Sequence, residues 1–196
     1  TDIREKLGAA AKRKYGDLIY AVLTGNPTMG DGNSLFDASN HSNYVANGSG
    51  AVPSVDTLNT AAAAMATQKD IQGLQNLNIR PMFIMSPWAL KATVDQLLIN
   101  TNPGFVGGFT NDTATNAVMN PWAYLTPVYE SRLDASDAAA WFLAARKGMT
   151  VKLFTMNGNM TPMLETREGW SVDGMEFKCR ISAAAKAMDW VGLYQN

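Results

Sequence analysis

The sequence predicts an α+β fold, with helices concentrated in its first half and strands in its second. Three stretches carry that prediction. Residues 3–23 repeat apolar side chains every three or four positions, the period of a helix. Residues 77–90, LNIRPMFIMSPWAL, run from a short apolar strand into a helix start. From Tyr124 onward short apolar runs are separated by turn residues and end in SVDGMEFKCRI.

In the first segment Ile3, Leu7, Ala11, Tyr15, Leu18 and Val22 fall on one helical stripe. Gly8 and Gly16 each weaken it by about 1 kcal/mol relative to alanine. Gly25 followed by Pro27 is its expected stop. Residues 24–53 are rich in Gly, Asn and Ser, with Asp31 and Asp37 as their only charges. A loop that long in a compact domain is functional or is ordered against a partner. Ser54 is the expected N-cap of a second helix, with Asp56 near its positive end. Val55, Leu58, Ala62 and Met65 line the buried side of that helix, and Gly73 lies past its end.

Within 77–90, IRPMFIM is apolar on both faces, as in a buried strand. Ser86 is the expected cap of the next helix, and Pro87 its first residue, where a missing N–H costs nothing. Leu90, Val94 and Leu97 continue this helix toward Asn100. Residues 101–120 form a second long loop with one acid and no base. LTPVYE, AWFLAAR and VKLFTM read as strands. Asp173-Gly174 is the expected hairpin turn. After it Met175, Phe177, Cys179 and Ile181 alternate with Glu176, Lys178, Arg180 and Ser182, giving one core face and one wet face. No repeat of a solenoid period is visible.

At 196 residues the chain has room for one domain, or a domain with a sub-lobe. A compact chain of about 200 residues hides about 70% of its unfolded surface, so its core needs no staple. Only 17% of the residues are charged, for a net charge of −1. An ordinary soluble domain carries about a quarter, so the deficit points to surface that partners cover. No base occurs between Lys14 and Lys69 or between Lys91 and Arg132, which excludes the dense basic stripe of a nucleic-acid binder. Cys179 is the single cysteine, so no intrachain disulfide forms. No apolar run approaches the roughly 20 residues of a membrane span. The chain opens on Thr1, which reads as a processed protein or one cut from something longer.

The stretch LFDASNHSNY (35–44) holds the only histidine, His41. A hydrolase would combine it with Asp37 and a serine such as Ser39. In a Gly/Asn-rich loop, however, a spacing of four fixes no geometry, and no G-x-S-x-G elbow surrounds any serine. The expectation is a loop imidazole bonded to backbone or to a neighbouring chain. One His and one Cys leave a metal only carboxylates. The glycine-rich pieces 24–32 and 104–108 lack the Lys-Ser/Thr of a phosphate loop. No catalytic, cofactor-binding or metal-binding residue is therefore expected. Glu165 and Glu168 could pair as acid and base, but the run ETREG is more simply a solvated turn. Met82, Met85, Met156, Met160 and Met163 read as core filler. Trp122, Trp141, Trp170 and Trp190 read as core packing, with interface anchoring as their other use.

Six pieces stand in a telling order: LTGNPTMGDGNSLFDASNHSN (23–43), AAAAMATQKD (61–70), LNIRPMFIMSP (77–87), VYESRLD (128–134), WFLAA (141–145), and VDGMEFKCR with AKAMDWVGLYQN (172–196). In that order the chain resembles the C-terminal portion of a tailed-phage major capsid protein of the Mu-like head subunit type, which some phages fuse behind a prohead protease. The resemblance implies the Hong Kong 97-type capsid fold. Residues 1–53 would hold the spine helix of the peripheral domain and its connecting loop. Residues 54–140 would form the axial domain, a sheet flanked by helices, and residues 141–196 the strands that return to the peripheral domain. The N-terminal arm and extended loop that precede the spine helix in that family would then lie ahead of residue 1.

The resemblance further implies a structural virion protein and no enzyme. Its copies would assemble in the host cytoplasm into pentamers and hexamers of an icosahedral head that encloses DNA. Its partners would be copies of itself, a scaffold or prohead protease, and packaged DNA touched only non-specifically, with no membrane and no cofactor. The 101–120 loop would then make contacts near the ring centre, and the spine helix and the 173–181 hairpin lateral ones. Two competing readings are a phage tail or decoration module, which would form small closed oligomers, and a hydrolase using His41.

Overall fold

The structure is a computed structural model and describes residues 2–45, 52–70, 73–98, 120–146, 150–169 and 173–196. The 101–120 loop, save Asn120, and Trp170 lie outside the described residues. The fold is α+β, and its contacts divide it into two compact units. Unit 1 is Thr1–Gly25 with Val151–Ala187, and unit 2 is Asn26–Thr150 with Met188–Asn196. The divisions fall after residues 25, 150 and 187, where the resemblance implies 53 and 140. Residues 26–45 belong with unit 2 because Phe36 packs on Phe142 at 5.5 Å and Asn43 and Val45 bond the backbone of Gln195.

Unit 2 is built on a four-stranded sheet ordered β2-β1-β3-β8, from β1 (Phe83–Ser86), β2 (Thr126–Tyr129), β3 (Phe142–Ala144) and β8 (Leu193–Gln195). The β1–β2 pairing is parallel and the other two are antiparallel. Helix α2 (Val55–Thr67) begins at Ser54 as expected. The Ser54 hydroxyl accepts from Thr57 N–H at 3.2 Å, and the Thr57 hydroxyl accepts from Ser54 N–H at 2.8 Å. Val55, Leu58, Ala61 and Met65 of α2 pack with Ile84 and Leu143 of the sheet in the main core, and Ala62 packs half-buried against it. Past α2, the buried Gln68 clamps the last strand. Its amide donates to the Leu193 carbonyl at 3.0 Å, and its oxygen accepts from Gly192 N–H at 2.7 Å. Gly192 has φ +84, and an added Cβ would meet the Ala145 Cβ at 3.1 Å, so glycine is required there.

The strand-to-helix junction differs from expectation in its cap. A 3-10 turn (Trp88–Leu90) leads into α3 (Lys91–Leu98), but Ser86 remains in β1 and its buried hydroxyl has no partner among the described residues. The free N–H groups of Trp88 and Ala89 instead donate to the carboxylate of Asp134, at 2.8 and 2.9 Å. Asp134 lies in α4 (Ser131–Ser136), a short helix that the sequence reading passed over.

Unit 1 holds α1 (Ile3–Gly25) and two antiparallel ribbons. The first pairs β4 (Val151–Thr155) with β7 (Ala183–Ala187), and the second pairs β5 (Met163–Glu168) with β6 (Met175–Arg180). Helix α1 ends where Gly25 and Pro27 predict, with Asn26 at φ +42 between them. Its stripe is shallow: Tyr15 and Leu23 are buried, Leu7, Ala11, Leu18 and Val22 are half-buried, and Ile3 is exposed. Two expectations fail here. The ETRE of ETREG lies in strand β5 and not in a turn, and only Gly169 belongs to the connection. The hairpin does not close through a two-residue Asp173-Gly174 turn either. Its connection spans 169–174, with Gly169 N–H bonding Gly174 O at 2.7 Å, and Gly174 lacks the positive φ that the tighter turn needs. The alternation in β6 holds from Phe177 onward, with Phe177 and Cys179 half-buried and Glu176, Lys178 and Arg180 exposed, but Met175, expected on the core face, is exposed.

The five methionines expected as core filler are not in the core. Met82, Met156, Met160 and Met163 are exposed, Met156 at 70%, and Met85 is half-buried. Trp122 and Trp141 are core residues as expected, and Trp190 is half-buried.

Candidate functional site

The stretch around His41 is the densest polar cluster that the sequence offered, and the loop carrying it is bonded throughout. Met29 O accepts from Gly32 N–H at 3.1 Å in a turn that places Gly32 at φ +86. The Asn26 side chain copies a strand pairing with Phe36, donating to its carbonyl at 3.0 Å and accepting from its N–H at 2.7 Å. Asn43 is fully buried, accepts from Asp37 N–H at 2.9 Å and donates to Leu35 O at 2.9 Å. Leu35 and Phe36 are buried beneath. These bonds explain how a loop without regular structure holds buried polar groups.

His41 is 3% exposed, and its ring stacks on Trp190 at 4.4 Å between centroids and 7° between planes. Its Nε2 lies 2.7 Å from the Asp31 carboxylate and its Nδ1 lies 3.3 Å from the Leu35 carbonyl. Both neighbours are acceptors and a neutral imidazole has a single N–H, which the shorter contact assigns to Nε2, donating to Asp31. The hydrogen bond from His41 is the main cause that holds the Asp31 carboxyl down at about 2, helped by Asn33 N–H.

Asp37 is not part of this pair. Its carboxylate caps the turn after it, accepting from Asn40 N–H at 2.6 Å and Ser39 N–H at 2.8 Å, and these bonds lower its pKa, with Asn40 the larger cause. The Asp37–His41 pairing weighed from sequence is thus replaced by Asp31–His41. Asp31 escaped notice because a separation of ten within a loop carries no periodic signal. General-base catalysis needs an imidazole nitrogen within reach of the hydroxyl it activates. Here one nitrogen faces a carboxylate and the other a carbonyl, contacts that hold the loop in place.

The remaining candidates disperse. Glu165 and Glu168 lie in β5 three positions apart, so they point to opposite faces of the strand. Glu165 pairs with Lys178 at 3.5 Å and Arg180 at 3.6 Å, an exposed network without an acid–base partner. The Cys179 thiol is half-buried and leans toward Leu7 O at 3.8 Å. Among the described residues no three His, Cys, Asp or Glu side chains gather as a metal would require. No described helix is long and apolar enough to cross a membrane.

One cluster was not foreseen. The Lys91 ammonium lies over the Tyr129 ring at 4.7 Å and bonds Asp95, which also accepts from the Tyr129 hydroxyl. Burial, then the bond to Asp95, pushes the Tyr129 phenol well up, and Lys91 is the first cause that holds Asp95 down. These side chains tie α3 to β2 and leave Trp88 exposed beside them.

No curated protein and no solved structure matches the chain. A family model does, over residues 1–196, and its description is that of a phage capsid protein; the chain belongs to that family.

Proposed function

We propose that the chain is the major head subunit of a tailed phage of the Mu-like type, with the Hong Kong 97-type fold, and that its copies close into pentamers and hexamers of an icosahedral shell around DNA. The observation that carries this reading is the family match, which runs from the first residue to the last. A long helix with paired strands in one unit and a helix-flanked sheet in the other support a peripheral and an axial domain respectively. Low charge and exposed apolar side chains support a surface that neighbours cover. Tiling needs no reaction. Identical subunits meet through heterologous surfaces, rotation closes them into rings, and many modest contacts sum to a stable shell. DNA would touch such a shell only through sparse positive charge, which allows release. A scaffold or prohead protease would act on the assembly route and not within the finished shell.

Electron microscopy of the full gene product that carries this chain, expressed alone and then with its neighbouring head genes, tests the reading. Five- and six-fold capsomers or closed shells are expected. Small closed oligomers of a single symmetry would instead make it a tail or decoration protein.

A further inference from the structure

The β4–β7 ribbon of unit 1 carries two lysines where an isolated ribbon would avoid them. Its side chains alternate. Val151, Leu153, Thr155, Ala183, Ala185 and Ala187 are buried or half-buried, while Lys152, Phe154, Ala184 and Lys186 are exposed. The register sets Lys152 directly opposite Lys186 and Phe154 opposite Ala184. Like charges directly opposed across a strand pair destabilise it. Neither ammonium has a carboxylate partner among the described residues, and the segments 151–155 and 183–187 contain no acid. Phe154 stands 47% exposed on the same face, flanked by alanine rather than by a large neighbour.

The chain itself supplies the complement. By sequence, unit 1 carries ten Lys/Arg against seven Asp/Glu, a net charge of +3. Unit 2 carries the remaining six against ten, a net charge of −4. Opposite net charges on two lobes of identical subunits favour head-to-tail contact, because each copy offers both signs.

We propose that the outward face of the β4–β7 ribbon, formed by Lys152, Lys186, Phe154 and Ala184, docks against unit 2 of a second copy of the chain, whose carboxylates relieve the opposed ammonium groups. This rests on the shell reading above and names one of its contacts. DNA suits the face less well. A phosphate-binding surface needs a dense basic stripe, whereas one lysine pair beside an exposed phenylalanine and an alanine makes a small mixed patch, the composition of a protein interface.

The test uses the full gene product and three variants: Lys152→Glu, Lys186→Glu and the two combined. Dispersed subunits are followed by thermal melting, and assembly by sedimentation velocity and electron microscopy at low and high salt. Either single variant replaces a repulsive cross-strand pair with an attractive one. The dispersed subunit should therefore melt about 1–3 °C higher, while assembly at low salt falls at least ~10-fold. The double variant restores like-charge repulsion, so it should melt near the parent and assemble worst. Opposite movement of stability and assembly is a signature that a purely structural pair would not give.

Normal assembly by all three variants overturns the proposal. So does disordered aggregation of the variants without loss of shells, which would make the lysines guards of an open strand edge. Unaltered shells with lost affinity for a short DNA duplex would assign the face to DNA instead. Failure of the parent itself to assemble would remove the shell reading, a result visible without any variant.

Discussion

At the scale of single residues, Asp31 and His41 show how a loop can hold a buried imidazole. The Asp31 carboxyl sits at about 2 in the folded chain against its ordinary 3.8. A depressed acid contributes stability in full above its unfolded value, and that contribution is lost as pH falls through the folded one. The Asp31–His41 contact should therefore persist down to pH 3.8 and fail as pH falls toward about 2. Removing the first cause moves the value. In His41→Ala, Asp31 should titrate close to 3.8, with only the Asn33 bonds still lowering it. A carboxyl-carbon NMR titration of parent and variant reads this directly, and an unmoved Asp31 would show that the imidazole is not its partner in solution. The type of residue in this loop was legible from the sequence, since polar side chains around a lone histidine promised a bonded ring. Its partner was not, because the turn at Gly32 that brings Asp31 back is set by backbone conformation and leaves no spacing rule.

At the scale of elements, the helix start at Trp88 depends on a carboxylate forty-six residues away in sequence. Asp134→Ala should leave two N–H groups unpaired and cost about 1 kcal/mol in a denaturant titration. Asp134→Asn, which keeps an acceptor, should lose less, and Ser86→Ala little, because the serine hydroxyl bonds none of the described residues. Equal loss for Ser86 and Asp134 would return the cap to the local residue. The contrast explains which elements the sequence disclosed. Ser54 lies beside the helix it caps and was found. Asp134 acts across space and was missed. Strands β1, β2, β3, β4 and β6 were legible because apolar or alternating side chains mark them. Strand β5 was hidden by charge, since MLETRE is exposed along its whole length and carries no core face. Strand β7 was hidden by composition, because AAAKA has low strand propensity and is held by β4 and by α1 beneath it. The three-residue β8 is fixed by Gln68 and by Trp141, whose backbone exchanges two bonds of 3.0 Å with Asn196, and nothing within Leu193–Gln195 announces a strand.

At the scale of the whole molecule, the two units are unequal in what holds them. Unit 2 owns the main hydrophobic cluster, from Val55 through Tyr194. In unit 1 the buried apolar residues among those described are Tyr15, Leu23 and Ala187, with Pro162, while Phe154, Met156, Met160, Met163, Leu164 and Met175 are exposed. Two-stranded ribbons are marginal alone in water, and burial of apolar area supplies most of the favourable free energy. Unit 1 should therefore open far below the energy needed to unfold unit 2, giving a dispersed subunit two levels of protection rather than one. In native-state hydrogen exchange, the amides of β4–β7 and β5–β6 should exchange at least ~100-fold faster than those of β1 and β3, a gap of about 3 kcal/mol. In assembled shells the same ribbons should slow by a comparable factor while β1 and β3 change little, because neighbours cover what the single chain leaves open. Equal protection of both units before assembly would mean that unit 1 is self-sufficient and that its exposed methionines await no partner. Unchanged ribbon exchange after assembly would place the subunit contacts elsewhere, on unit 2, and would remove the physical reason offered for the exposed face of unit 1.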